Sequence, residues 1–176
     1  STVEFFRIDK LLRKTSHDSV LFKAFMKIDK NDAFTIVKFC EERQEVISQL
    51  IFDEHLIIQL AFCNALFEAK KYRKQIKVAS IVIELSISGN IQFYEGEDIY
   101  LKTLFQQAQS LAAIGDDSKA IRITEGLLKV NPHRKSYQRF LRKCYLKSKH
   151  PFLQNVQQYS ILIMLMVTIL YTVNFF

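Results

Sequence analysis

Apolar residues recur at intervals of three and four along most of this chain. Over residues 161–176 they run together without a charge, a Pro or a Gly. The first pattern predicts amphipathic helices; the second predicts a helix with no polar face. Residues 2–14 read as a short amphipathic helix with Val3, Phe6 and one of Phe5, Ile8 and Leu12 on one side. Ser16 or Asp18 is placed to cap the next helix, whose apolar side is Val20, Leu21, Ala24, Phe25 and Ile28. Cap and turn residues at 29–32 break the pattern. A third helix opens with Ala33, Phe34, Ile36, Val37 and Cys40, and its pattern runs on through Val46, Ile47 and Leu50.

Asp53 predicts the cap of a long helix over 54–69, with Leu56, Leu60, Cys63 and Phe67 at helical spacing. A tight connection at 70–72 leads into a helix over 73–85. There Val78, Val82 and Leu85 mark one side, and Ile76, Ala79 and Ile83 widen it. Ser88-Gly89-Asn90 is the clearest turn, and the stretch to Gly96 reads as a loop. Glu97 and Asp98 sit where a helix N-terminus favours negative charge, ahead of Leu101, Leu104, Phe105, Ala108 and Leu111. Gly115 closes that helix. Asp116-Asp117-Ser118 starts another, carrying Ala120, Ile121, Ile123, Leu127 and Leu128. Asn131-Pro132 reads as a cap with Pro at the first helical position, before a basic helix from His133 to about Lys149. Its apolar positions are Tyr137, Phe140, Leu141 and Tyr145, and Pro151 separates it from the apolar run.

Four Gly, two Pro and no Trp are poor material for a turn-rich β fold. The expectation is an all-α chain: a body over 1–150 and a hydrophobic C-terminal helix over 151–176. Charge sharpens that division. All 18 Asp and Glu lie at or before Glu125, whereas eight of the 25 Lys and Arg follow it. The body is near neutral, and a cationic collar precedes the apolar run. As a helix, residues 161–176 span roughly 24 Å against a hydrocarbon core of about 30 Å. A start near Val156, or further chain, brings the run to full length. Tyr159 and Tyr171 suit the interfaces. A basic flank predicts a single-pass membrane protein with its N-terminal domain cytoplasmic. Arg134, Lys135, Arg139, Arg142, Lys143, Lys147 and Lys149 are then placed at the membrane surface, attracted by anionic headgroups. Three competing readings stand beside this. The run is a buried helix or an oligomer interface, the collar is a solvated face, or the collar binds nucleic acid.

An internal similarity appears at an offset of 45 residues. Leu66 meets Leu111, Ile76 meets Ile121, Val82 meets Leu127 and Ile83 meets Leu128. A weaker match at an offset of 87 aligns Ala33 with Ala120 and Val37 with Thr124. Residues 101–132 resemble a tetratricopeptide repeat, with a small residue at Ala108, a large one at Leu111, Gly at Gly115, Ala at Ala120 and Pro at Pro132. The spacing is longer than in that family and overlaps HEAT-type units. The resemblance implies stacked antiparallel helix pairs, a right-handed α-solenoid with a concave groove for a protein or peptide partner. Carried over by these offsets, the groove positions are Phe22, Phe25, Ile57, Leu60, Asn64, Phe67, Lys102, Phe105 and Gln109. Of the Lys, Arg and Asn clamp by which that family grips acidic tails, only Lys102 fits. The alternative for these aromatics is simple core. The architecture is also similar to tail-anchored mitochondrial fission adaptors. The short basic tail those proteins carry after the membrane helix is missing here, so the resemblance implies a bilayer without assigning one.

Signatures of catalysis are missing from the sequence. His17, His55, His133 and His150 are scattered, and no H-E-x-x-H, G-x-G-x-x-G, P-loop or G-x-S-x-G occurs. Glu41-Glu42 reads as a solvated helix face and Asp116-Asp117 as cap and dipole stabilisation. Cys40, Cys63 and Cys144, odd in number and widely spaced, read as reduced, partly buried thiols. The sequence therefore predicts a membrane-anchored adaptor or scaffold, not an enzyme, with no cofactor and no small-molecule substrate. Two alternatives are a subunit of a larger membrane assembly and a soluble nucleic-acid-binding protein using the stretch 129–149.

Overall fold

Residues 19–149 are described in the computed structural model of the chain, and over this span it forms eight helices and one short hairpin. The order is α1 (Val20–Phe25), α2 (Ala33–Glu42), α3 (Gln44–Ser48), α4 (Phe52–Glu68), α5 (Tyr72–Ser88), β1 (Phe93–Tyr94), β2 (Glu97–Asp98), α6 (Ile99–Ala113), α7 (Asp117–Val130) and α8 (Lys135–Lys149). The expected helix over 2–14, the caps at Ser16 and Asp18, and the apolar run 161–176 lie outside the described residues. Among the described residues no helix is long and apolar enough to cross a membrane.

From α4 onward each helix packs on the next in chain order, and α4 also contacts α1, α2, α3 and α6. Short links compel this. Only residues 69–71 join α4 to α5, and only 114–116 join α6 to α7, so each pair reverses as a helical hairpin. The two links share one geometry. Lys70 (φ 56°) and Gly115 (φ 91°) adopt the left-handed conformation. The next amide in each case closes a bond back across the last helical turn, Lys71 to Leu66 and Asp116 to Leu111, both at 2.9 Å. These positions are 45 residues apart, and so are the paired positions of the flanking helices. Leu66 and Leu111 are both buried, as are Val82 and Leu127; Ile76, Ile121, Ile83 and Leu128 are all half-buried.

Several expected boundaries shift, each for a local reason. Ser19 caps α1, its Oγ accepting from the Phe22 amide at 3.0 Å. Val20 and Phe34, expected on apolar faces, are 84% and 78% exposed, because α1 and α2 turn Phe22, Phe25, Ile36, Val37 and Cys40 inward instead. The third helix breaks at Arg43 rather than running through to Leu50. Ile51 stands at the N-cap of α4, and Asp53 lies within its first turn. The loop before Gly96 holds a hairpin in which Phe93 pairs with Asp98 and Tyr94 with Glu97. Glu95 and Gly96 both have positive φ at its tip, the conformation a two-residue hairpin turn favours. Asn131 ends α7, and α8 begins only at Lys135, so Pro132 and His133 lie in the turn.

The main core surrounds α4, whose Leu56, Ile58, Cys63 and Leu66 are fully buried. Further along, the interior becomes polar. On α6 the buried set includes Thr103, Gln107 and Ser110, while the expected Leu101, Leu104 and Phe105 are only half-buried. Gln107 Nε2 donates to Ile76 O (3.1 Å) and Ser80 Oγ (3.0 Å), joining α6 to α5. Gln75 Nε2 donates to Cys63 Sγ at 3.3 Å, joining α5 to α4. The two bonds of Gln107 offset the cost of burying its amide nitrogen, whereas Gln75 Oε1, Thr103 Oγ1 and Ser110 Oγ have no hydrogen-bond partner among the described residues.

Candidate functional site

A cavity of about 490 Å³ lies where α1, α2, α4, α6 and the hairpin meet. Its floor is apolar. Ile57, Leu60, Ala61 and Ala65 come from α4, Phe25 and Ile36 from α1 and α2, and Ile99 from α6. Positions 57, 61, 64, 65 and 68 recur along one stripe of α4, so this helix forms the long wall. Two amides interrupt the apolar lining, Asn64 and Gln106. Their carbonyl oxygens, Asn64 Oδ1 and Gln106 Oε1, are buried and accept no hydrogen bond among the described residues. A buried acceptor left unfilled costs about 1–3 kcal/mol. The volume lies within the few-hundred to thousand Å³ typical of ligand sites.

The rim is charged but compensated. Lys30 pairs with Glu95 across the mouth at 2.5 Å, and Lys102 pairs with Glu97. Both pairs are well exposed, and such pairs contribute little to stability. The cation expected to form an acidic-tail clamp, Lys102, is therefore already matched by a carboxylate.

Of the positions expected to line a groove, Phe25, Ile57, Leu60, Asn64, Phe67 and Lys102 line this cavity. The remaining three do not. Phe22 is buried in the main core. Phe105 points toward α8, with its ring 4.7 Å from Tyr137 and 5.4 Å from Phe140. That direction is about a quarter-turn round α6 from Lys102 and Gln106. Gln109 is half-buried and outside the lining. The hairpin wall (Tyr94, Glu95, Glu97), Lys30 and Gln106 were not legible as site residues, because only the tertiary fold brings them to α4.

The paired acids have structural partners. Glu41 bridges from α2 to Lys74 of α5 (2.6 Å) and to Lys71 just before it (3.4 Å), and the Lys74 hydrogen bond holds its carboxyl below the usual range. Asp116 caps α7, accepting from the Lys119 amide, and its contact with Lys119 also lowers it. All three cysteines are free and buried. Burial pushes the Cys40 and Cys63 thiols up to about 12.

The cationic collar maps onto α8 and the turn before it. Lys135, Arg139, Arg142, Lys143 and Lys149 are exposed. Arg134 lies over the Tyr137 ring at 5.1 Å. Lys147 departs from the set: it turns inward, and its Nζ donates to Ala112 O (3.0 Å) and Asp117 Oδ1 (3.1 Å). Among the described residues no group of three or more His, Cys, Asp or Glu is placed to hold a metal ion. Compared with protein-family models, with curated proteins and with solved structures, the chain finds no match in any of the three.

Proposed function

We propose that this chain is a tetratricopeptide-like adaptor, tethered to a bilayer through residues 161–176, that receives an apolar segment of a protein partner in the α4 cavity. The observation that carries the reading is the cavity itself: about 490 Å³ with an apolar floor built from Phe25, Ile36, Ile57, Leu60, Ala65 and Ile99. An apolar side chain of a peptide fits such a floor. The rim selects little by charge, since Lys30 and Lys102 are already paired. The shared turn geometry of the α4–α5 and α6–α7 hairpins supports the repeat assignment. The division of charge and hydropathy in the sequence supports the tether, with the body on the cytoplasmic side.

A photoreactive residue at Ala61, on the cavity floor, tests the binding half in cells. The expected result is a crosslink to a second protein that disappears when Ala65→Phe fills the floor. A crosslink that survives Ala65→Phe in a folded protein would place the contact elsewhere. Alkaline carbonate extraction of membranes tests the tether. The full chain should stay with the membrane, and a version ending at residue 151 should be released; release of both removes the tether from the reading.

A further inference from the structure

Residues 135, 139, 142, 146 and 149 of α8 follow one another at spacings of four and three, so they form a single stripe. The stripe reads Lys135, Arg139, Arg142, Leu146, Lys149, and every member is exposed. It lies opposite Tyr137 and Cys144, the buried pair that seats α8 on its neighbours. None of its four cations takes part in an ion pair among the described residues, in contrast to Lys30, Lys71, Lys74 and Lys102 in the body. Beside the stripe runs a shallow groove of about 370 Å³ between α7 and α8, where Leu128, Leu141, Tyr145 and Leu146 give an apolar lining edged by Arg142 and Lys149. Leu146 is 57% exposed in the middle of the cations.

We infer that this stripe and groove form a lipid-contact face that lays α8 along an anionic bilayer surface. The inference rests on the tether reading and goes beyond it, because it assigns which side of α8 meets the headgroups and which collar cations do not. Lys147 is diverted to Asp117 and Ala112, and Arg134 to Tyr137. Charge complementarity is one argument: α8 carries no Asp or Glu, and the last acidic residue, Glu125 of α7, accepts from the Tyr145 hydroxyl at the groove. The second is the mixture itself. Apolar side chains set among Lys and Arg suit the headgroup–acyl boundary, whereas phosphodiester contacts need the cations alone. The third is position in the sequence, since α8 is the last described element before the apolar run 161–176. The face shares no residue with the α4 cavity, so lipid contact and partner binding are compatible.

The test uses the full chain with Leu146→Cys carrying an environment-sensitive dye, the three native thiols being buried. It is mixed with vesicles of phosphatidylcholine alone or with about a third phosphatidylserine, and flotation is read beside emission. Expected is flotation with both vesicles and a blue shift only with the anionic ones. The shift should be lost in R139Q/R142Q/K149Q, at about fivefold in surface affinity per cation removed; these exposed changes leave the circular dichroism unaltered. Flotation and a shift confined to anionic vesicles keep the face and remove the tether. Flotation with both and no anionic shift overturns the face and keeps the tether. An equal shift produced by single-stranded RNA, competing with the vesicles, also overturns it in favour of nucleic acid.

Discussion

Helices α4 and α8 are nearly equal in length, and one is a hub while the other is an edge. The α4 helix contacts α1, α2, α3, α5 and α6 and buries nine side chains over 17 residues. The α8 helix packs on α7, touches α6 through Phe105 and Ala112, and buries Tyr137 and Cys144. The difference follows from sequence. With apolar residues nearly all the way round, α4 must be enclosed; α8 has one narrow apolar strip and a cationic remainder. The stack is therefore thick at one end, where the cavity lies, and thin at the other, where the cations lie. Clusters follow the same gradient, from a broad core around α4 to a small one of Leu111, Ala120 and Cys144.

The sharpest way to break this comparison is to delete the same side chain in both hairpins. Leu66 and Leu111 occupy equivalent turns, but Leu66 sits inside the large cluster and Leu111 in the small one. Leu66→Ala is expected to cost about 3–4 kcal/mol, and Leu111→Ala nearer 2 kcal/mol, because the thin end collapses more readily around a cavity. Urea unfolding measures both. Equal losses would mean that the two ends are equally well packed.

Alkaline pH separates the ends by a different route. The Cys40 and Cys63 thiols are raised to about 12 by burial, against about 8.5 in an unfolded chain. A raised folded value favours the protonated thiol, so this stability is complete below pH 8.5 and is lost as pH climbs toward 12. Between pH 7.5 and 9.5 each thiol accounts for a loss of about 1.4 kcal/mol. The pH dependence of the urea midpoint should therefore flatten in Cys40→Ala/Cys63→Ala. Alkylation of the native protein by iodoacetamide should reach Cys144 first, because α8 has fewer contacts to break before opening.

Much of the thick end was readable in advance, and the reasons are particular. The helical spacing of Leu56, Leu60 and Cys63 announced α4; of the positions carried over from the family resemblance, Ile57, Asn64 and Phe67 lie along its cavity wall. Gly115 and Asp116 announced their turn because Gly tolerates positive φ and Asp caps. Lys70 adopts the same conformation with no such signal. Gly89 was legible as a turn but for a different reason from the real one. Its φ is an ordinary −85°, the left-handed residue is Asn90, and a Cβ at Gly89 would lie 2.3 Å from the Phe52 ring. The thin end was harder to read. Counting apolar residues favours Leu101, Leu104 and Phe105, whereas α6 buries Thr103, Gln107 and Ser110 alongside Ala108 and Leu111, and Gln107 joins it to α5. No periodicity distinguishes a buried Gln that finds Ile76 O from one in water.

Lys147 ties the thin end down, and its removal should free α8 selectively. Its Nζ holds both a backbone carbonyl on α6 and a carboxylate on α7, and both side chains of the ion pair are mostly buried. Lys147→Met keeps the stem and removes the donor. The expected loss is about 1–2 kcal/mol, with faster hydrogen exchange in α8 and unchanged exchange in α4. Acceleration in α4 as well would show that the two ends open as one unit.

The smallest expected effect tests whether the two hairpins are turns of one kind. Lys70 and Gly115 occupy equivalent left-handed positions, one with a β-carbon and one without. Nothing lies within 4 Å of a Cβ built at Gly115, so Gly115→Ala encounters no clash and its cost is conformational alone, about 1 kcal/mol. Lys70→Gly removes the same strain and should gain several tenths of a kcal/mol, the relief being partly cancelled by the freer unfolded chain. The two substitutions thus act with opposite sign through one backbone geometry, and their double variant should be near the sum because the links are on separate hairpins. Destabilisation by both would show that the Lys70 side chain contributes more to the α4–α5 link than its φ angle costs, and the resemblance between the hairpins would then end at the backbone.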